Sequence, residues 1–248
     1  MVLLSFLVVT GCSRRDILDD YPVSGVEVRL DWSGVTEKLP EGVRIIFYPK
    51  DEKGRKIDTY LSVTGGEVKV PSGHYAVVIY NYDTETVLIR GEESYETIQA
   101  YTNFCKLGIA GTEKMVWGPD PLYVVNIDDL DIQNSEETLI LKLKPKLVIR
   151  TYSFSIKVQG LSNVSNVIGS IGGMADHYFL EKAYAMCDDY PINIDLNVKA
   201  GKIEGVFTTF GLPEAIITRL EIKLPVMMNL MIIKVDNSVQ EVKINITE

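Results

Sequence analysis

Apolar and polar residues alternate with a period of two through most of the chain, and this alternation constrains the fold more than any other feature. Val26, Val28 and Leu30 alternate with Glu27 and Arg29, which is typical of a strand with one buried face. Similar short segments recur between turns rich in Gly and Pro, at 43–49, 57–63, 67–70, 74–80, 139–143, 147–156, 203–210, 220–224, 226–235 and 239–246. Short strands at this spacing are typical of sandwiches and barrels. The sequence therefore predicts an all-β fold.

Pro145 marks a break in this pattern, because a new strand-like segment begins directly after it. A chain of 248 residues has the length of one or two domains, and 46% hydrophobic residues are enough for a packed core. We therefore predict two tandem antiparallel β-sandwich domains, residues 23–145 and residues 146–248. Residues 92–104 are less regular and predict a helical turn or a long loop.

An apolar segment of residues 1–11 stops at Cys12, and charged residues follow at once. It is shorter than the about 20 residues that a membrane-spanning helix needs, but its length is typical of the apolar region of a secretory signal. The sequence Val9-Thr10-Gly11-Cys12 resembles the bacterial lipobox, in which the cysteine is lipidated and the chain is cut before it. We predict a signal peptide in residues 1–11, lipid attachment at Cys12 and a polar tether in residues 12–22. The alternative is a buried N-terminal strand that ends in an ordinary cysteine.

The charge of the chain excludes one class of partner. The formal net charge is −9 and the isoelectric point is near 4.9, whereas nucleic-acid binding requires a basic surface. Beyond Cys12 the longest apolar segment, 226–233, is interrupted by Asn229 and followed by Lys234. We therefore expect no nucleic-acid partner, and attachment to the membrane through the N-terminal lipid alone.

The two other cysteines, Cys105 and Cys187, lack the spacing of metal ligands. They could form a disulfide between the domains or remain as buried thiols, and we favour buried thiols.

Few residues suggest catalysis. The chain has two histidines; His74 starts a strand and is expected at the surface. His177 follows Asp176, as in part of a catalytic triad, but neighbours along a strand point to opposite faces. The G-x-S-x-G motif of a serine nucleophile is absent from the sequence. We expect a protein that is not an enzyme and that carries no cofactor or metal.

Three further segments have ordinary structural interpretations. The acidic residues 128–131 lack the glycine and terminal glutamate of a calcium loop of EF-hand type, so we predict a solvated acidic loop. The Gly-rich residues 168–174 lack a phosphate-binding lysine and predict close strand packing or a bend. Trp32 falls on the apolar face of its strand and is expected in the core, whereas Trp117 lies beside a Gly-Pro bend and could be exposed.

The order of short motifs along the chain resembles one family over nearly its whole length. The motifs are the lipobox cysteine, VEVRLDWS at 26–33, PEGVRIIFYP at 40–49, VPSGHY at 70–75, IYNYDTE at 79–85, PDPLY at 119–123, GSIGGMA at 169–175 and TFGL at 209–212. This resembles the fimbrillin-like lipoproteins of Bacteroidetes, close to the minor fimbrial anchor subunits. The resemblance implies two β-sandwich domains, the first transthyretin-like, and a lipid anchor in the outer membrane. Only Cys12 matches a functional position, and Ser13-Arg14-Arg15 departs from the acidic residues that often follow the cysteine in surface-exported members.

We therefore expect a lipid-anchored, surface-exposed fimbrial subunit of the outer membrane, with other fimbrial subunits as partners through strand complementation. The C-terminal segment is the candidate donor strand, with Val239, Val242, Ile244 and Ile246 as its apolar residues. The rival hypothesis, motivated by two tryptophans and 13 tyrosines, is a surface glycan-binding lipoprotein.

Overall fold

The computed structural model describes residues 23–51, 54–105, 114–188, 190–199, 201–213 and 225–247. The strands are β1 (Val23–Leu30), β2 (Gly42–Pro49), β3 (Ile57–Ser62), β4 (Gly65–Pro71), β5 (Gly73–Asn81), β6 (Val87–Arg90), β7 (Gln99–Thr102), β8 (Phe104–Cys105), β9 (Met115–Val116), β10 (Tyr123–Ile132), β11 (Leu139–Leu143), β12 (Lys146–Leu147), β13 (Arg150–Lys157), β14 (Val164–Gly172), β15 (His177–Phe179), β16 (Tyr184–Met186), β17 (Ile192–Lys199), β18 (Lys202–Thr209), β19 (Met227–Lys234) and β20 (Val239–Asn245). A single 3₁₀ turn over Leu161–Asn163 accompanies them within the described ranges. The predicted all-β fold is confirmed.

The first sheet has eight strands in the order β11-β1-β4-β3-β2-β5-β10-β12. Its central strands are buried on both faces: Val43 and Phe47 of β2 face one core, and Ile46 and Tyr48 face another. Every residue of the first core comes from this sheet or the turn after β1, so the sheet curls around its own apolar face. Trp32 packs against that core as predicted, and its Nε1 donates to the Val63 carbonyl at 2.6 Å. Two strand pairs are parallel, β1 with β11 in this sheet and β17 with β9 in the second sheet, whereas we predicted antiparallel sheets.

A small sheet of four strands, β16-β15-β7-β6, covers the second face. The core between this sheet and the first sheet contains Val78 of β5 and Ala100 of β7. It also contains Ile98 and Leu180, which are both fully buried. The antiparallel pair between β7 and β15 aligns Tyr101 with His177. Strand pairing therefore crosses the position, after residue 145, where we predicted the second domain to begin.

The second sheet runs β13-β18-β17-β14-β19-β20, and the short strands β9 and β8 extend from β17. Its apolar face includes Ile171, Ile192, Phe207 and Leu230, all buried. Residues 226–235 are apolar on both faces in the sequence, a pattern typical of a strand buried on both sides, but β19 is fully buried on one face only. Met228 and Leu230 are buried, while the side chains that alternate with them are half-buried.

Glycine makes room for close contacts in residues 168–174. A Cβ at Gly169 would lie 2.9 Å from Leu196 Cδ1, so this glycine lets β14 and β17 pack closely. Gly173 has a φ of 78°, and a Cβ there would lie 2.5 Å from the Pro225 carbonyl oxygen, so this position is a bend. The interpretation as close packing or a bend is confirmed.

The two cysteines after Cys12 are thiols, Cys105 buried and Cys187 half-buried. Burial raises the pKa of the Cys105 thiol. Cys12 and the tether lie outside the described residues, as does the strand predicted at 220–224.

Leu180 tests the packing of the small sheet on the first sheet. We predict that Leu180→Ala lowers the free energy of unfolding by about 2–5 kcal/mol, because it leaves a cavity in the shared core. The matched control is Leu212→Ala, since Leu212 is 60% exposed and its loss should change stability by less than about 0.5 kcal/mol. Denaturant unfolding measures both. Equal stability of the Leu180 variant and the parent chain would contradict this packing.

Candidate assembly surface

The last strand, β20, forms one end of the second sheet. It pairs antiparallel with β19 from Val239, opposite Ile233, to Asn245, opposite Met227. Within the described residues no strand pairs with its other side, and the same is true of β13 at the opposite end. In this part of the chain, the second sheet therefore ends in two open edges.

The predicted donor residues divide between the two faces of β20. Val242 and Ile244 are half-buried and pack against the second-sheet core. Ile246 follows on the same face and is 41% exposed. Val239 is 56% exposed and lies on the opposite face, because consecutive strand residues alternate. The segment is thus a member of the second sheet with an incompletely covered apolar face.

The backbone of β20 presents hydrogen-bonding groups at its open edge. The Ile246 N–H donates to the Val226 carbonyl and the Lys234 N–H to the Ser238 carbonyl, both at 2.9 Å. Hydrogen-bonded pairs of an antiparallel ladder recur at every second residue, so the even-numbered residues of β20 bond to β19. The N–H and C=O groups of the odd-numbered residues, Val239, Glu241, Lys243 and Asn245, therefore point away from β19.

Charged side chains lie along this edge. Lys243 Nζ is 3.3 Å from Glu241 Oε1, and Asn229 Nδ2 donates to Glu241 at 2.9 Å. The bond from Asn229, then the one from Lys243, holds the pKa of Glu241 below its usual range. Charged residues on an edge strand discourage unspecific pairing. The edge is thus open but restricted to a partner strand that tolerates these charges.

An open edge of this kind can accept an extended strand. Main-chain hydrogen bonds then supply affinity, and apolar side chains at alternate positions supply specificity. The half-buried Val242 and Ile244 lie on the face that an added strand would help to cover.

His177 and Asp176 are bonded, contrary to the expectation that their side chains diverge. His177 Nδ1 lies 2.6 Å from Asp176 Oδ1, and both side chains are buried. Asp176 precedes β15, so strand alternation does not apply to the pair. The other oxygen of Asp176 accepts the N–H groups of Asp188 at 2.9 Å and Tyr190 at 3.4 Å. By accepting these two N–H groups, Asp176 holds the loop after β16 in place. The role of the His177–Asp176 pair is therefore structural.

Asp188 is the third group of this cluster, with its carboxylate 3.9 Å from His177 Nδ1. Asp176, His177 and Asp188 could together hold a metal ion. Asp176 Oδ1 is bonded to His177 and Oδ2 to the N–H groups of Asp188 and Tyr190, and Arg90 Nη2 lies 3.9 Å from Asp188. Both oxygens of the buried Asp176 thus have hydrogen-bond partners within the chain.

A second polar cluster ties the first sheet to the loop before β7. The Arg44 guanidinium donates two bonds to Asp58, at 2.8 and 2.9 Å, one to Tyr80 Oη at 2.8 Å and two to Glu92, at 2.5 and 3.3 Å. The bond from Arg44 lowers the pKa of Asp58, and burial raises the pKa of Tyr80. The arginine is therefore held in one position across three strands.

The acidic residues 128–131 lie in strand β10 and not in a loop, so that expectation is wrong. A bulge interrupts the register between Ile127 and Leu130, and Asp128 and Asp129 are exposed there. Lys50, then His74, lowers the pKa of Asp129. His74 is half-exposed, as predicted for a surface residue, and Trp117 is 40% exposed.

Within the described part of the chain, no helix is long and apolar enough to cross a membrane. The described fold is that of an all-β protein whose second sheet ends in β20. The comparison with known families gives a specific assignment: residues 11–195 match the family described as "Domain of unknown function (DUF5119)". The chain belongs to this family.

Similar proteins are fimbrial proteins and adhesins. A Bacteroides ovatus protein named "Putative fimbrium anchoring subunit Fim4B" is 52% identical, over all of this chain and 78% of its own length. A crystal structure of a "putative adhesin" from the same species is also 52% identical, with a TM-score of 0.85 over 96% of this chain and 88% of that one. The fimbrial anchor protein Mfa2 from Porphyromonas gingivalis has the same fold at 14% identity, with a TM-score of 0.56 over 90% of this chain and 82% of that one. The resemblance to fimbrial anchor subunits is confirmed.

Two proline variants test the direction of the β20 backbone. We predict that Lys243→Pro changes the free energy of unfolding by less than about 0.5 kcal/mol, because its N–H faces the open edge, where proline is tolerated. Ile244→Pro should lower it by about 1–3 kcal/mol, since it removes an N–H that faces β19 and leaves a carbonyl of β19 unpaired. Denaturant unfolding of both proteins makes the comparison. The reverse order of stability would show that the odd-numbered groups face β19.

Proposed function

We propose that this protein is a lipid-anchored fimbrial subunit that joins a fimbrium to the outer membrane of the cell that makes it. The observation that carries the proposal is the open edge of β20, with the main-chain groups of four residues directed away from the sheet. The names of the relatives support it, because they are fimbrial anchoring subunits and adhesins. The role is structural and not enzymatic, and its partners are other fimbrial subunits.

Attachment to the membrane through Cys12 is the first part of the proposal. Residues 1–11 act as the signal peptide, Cys12 receives the lipid, and residues 12–22 form a tether that places the folded part outside the membrane surface. A lipidated cysteine with more than one acyl chain gives stable anchoring, since each buried CH₂ contributes about 0.8 kcal/mol. We place the protein on the cell-surface side of the outer membrane.

Two tandem β-sandwich domains, 23–145 and 146–248, are the second part, with a transthyretin-like first domain. The separate cores of the first and second sheets support this division. The small sheet crosses this division, because β6 and β7 come before residue 145 and β15 and β16 come after it. In this proposal, each domain contributes two strands to the small sheet, and the two domains pack side by side.

Strand complementation at β20 is the third part. A strand of the next subunit pairs along β20 and covers Val242 and Ile244, which are half-buried. Pairing along the open edge keeps β20 bonded to β19, whereas donation of β20 itself would break the seven-pair ladder. We therefore favour addition of the partner's strand to β20 over release of β20 from its own sheet.

Replacement of Cys12 tests the anchor. We predict that Cys12→Ser leaves a folded protein in the soluble fraction, because the lipid is the proposed attachment to the membrane. Fractionation of cells, followed by a salt wash of the membranes, measures the distribution. A serine variant that still sediments with washed membranes would contradict the proposal.

Lys243→Pro tests strand addition. The substitution removes an N–H from the open edge and introduces a ring that obstructs pairing, so we predict loss of co-purifying fimbrial subunits from cells that assemble fimbriae. Lys243→Ala is the matched control, because it removes the same charge and keeps the N–H. It should retain the partner subunits. Retention by the proline variant, with its fold intact, would contradict assembly through this edge.

A further inference from the structure

Two tyrosines form an exposed aromatic pair on the first sheet, far in sequence from the β20 edge. Tyr60 is 60% exposed and Tyr82 is 44% exposed. Their ring centroids lie 5.1 Å apart with an angle of 88° between the planes. Most large aromatic residues of this sheet are buried, so a pair left in solvent calls for an explanation.

A glycine allows the two rings to meet. Tyr60 lies on β3 and Tyr82 follows β5, and β2 runs between these strands. A Cβ at Gly42 of β2 would lie 2.8 Å from Tyr82 Oη, so a larger residue would push the ring away. The absent side chain at Gly42 leaves the space in which Tyr82 lies across β2 toward Tyr60.

Arg44 contacts one ring of this pair, that of Tyr60. Its guanidinium carbon is 5.8 Å from the centre of the Tyr60 ring and 5.9 Å from that of Tyr80. Asp58, Glu92 and Tyr80 hold the guanidinium by hydrogen bonds. A surface fixed before binding loses little conformational entropy when a ligand arrives, and tyrosine itself has few rotatable bonds to immobilise.

We propose that Tyr60 and Tyr82 form a binding platform for a neutral sugar ring of a glycan. A pyranose offers a face of C–H groups that packs on an aromatic ring, whose π-face is electron-rich, and a rim of hydroxyl groups that hydrogen-bond to side chains. Asp58 and Glu92 are both partly exposed near Arg44 and can accept such bonds. The tyrosine rings thus supply the packing surface, and the two carboxylates supply the hydrogen bonds.

The negative charge near the two tyrosines restricts the class of ligand that can bind there. Asp58 and Glu92 bind the Arg44 guanidinium that contacts Tyr60, and Asp83 directly follows Tyr82. With a net charge of −9 for the chain, an acidic sugar or a nucleic acid would be repelled. An apolar peptide would need a continuous apolar surface, which these charged groups interrupt. The platform therefore fits an uncharged glycan, and its test is independent of fimbrial assembly at β20.

Calorimetric titration with oligosaccharides tests the platform. The full protein is kept in a detergent without a sugar headgroup and titrated with maltohexaose, cellohexaose, xylohexaose and mannohexaose, with trigalacturonate as the anionic probe. We expect at least one neutral probe to bind and the anionic probe not to bind. Tyr60→Ala and Tyr82→Ala should each weaken binding by at least about tenfold, while Tyr60→Phe, which keeps the ring, should change it by less than about threefold.

Tyr190→Ala is the matched control, because Tyr190 is a 37% exposed tyrosine in a perpendicular pair with Phe104. It should leave binding unchanged, and thermal unfolding should show all variants folded. Absence of binding by every neutral probe would overturn the proposal. Equal binding by Tyr60→Ala and the parent chain, or preference for trigalacturonate, would overturn it as well.

Discussion

Backbone hydrogen bonding between strands is the constraint on which the rest of this structure depends. Each interior strand finds a neighbour on both sides, and buried N–H and C=O groups are almost always paired. A strand at the end of a sheet has one side without a neighbour. In this protein, β20 is such a strand, and its odd-numbered residues direct their backbone groups outward. The proposed assembly function follows from that unsatisfied edge.

The two large sheets bury their apolar side chains in different ways. The first sheet covers one apolar face by curling and the other with the small sheet, so β2 and β5 are buried on both faces. The second sheet has one apolar face, and the residues of its end strands on that face, Phe154 and Ile244, are only partly buried. The central strands of the first sheet are thus covered on both faces, whereas the second sheet retains partly exposed apolar side chains on its end strands.

The sequence predicts several strands that have one buried face, because alternation is a local property, but β10, β14 and β17 were not predicted. β1, β3, β11, β18 and β20 follow the pattern of their side chains. The short strands β7 and β15 were not predicted, since they pair across 75 or more positions and their few residues carry no clear period. The contact between His177 and Asp176 was missed as well. Strand β15 begins at His177, so the alternation of side chains along a strand does not extend to Asp176, and the sequence alone does not locate this start. Gly42 and the tyrosines it brings together are likewise visible only when β2, β3 and β5 lie side by side.

Amide hydrogen exchange of β20 tests the central claim most directly. In the isolated protein, the amides of Glu241, Lys243 and Asn245 should exchange quickly, while those of Val242 and Ile244 should be protected by β19. On assembly with a partner fimbrial subunit, the odd-numbered amides should gain protection and the even-numbered amides should keep theirs. Unchanged exchange of the odd-numbered amides in the assembled state would contradict strand addition at this edge, and loss of protection at Val242 and Ile244 would show that β20 leaves its own sheet.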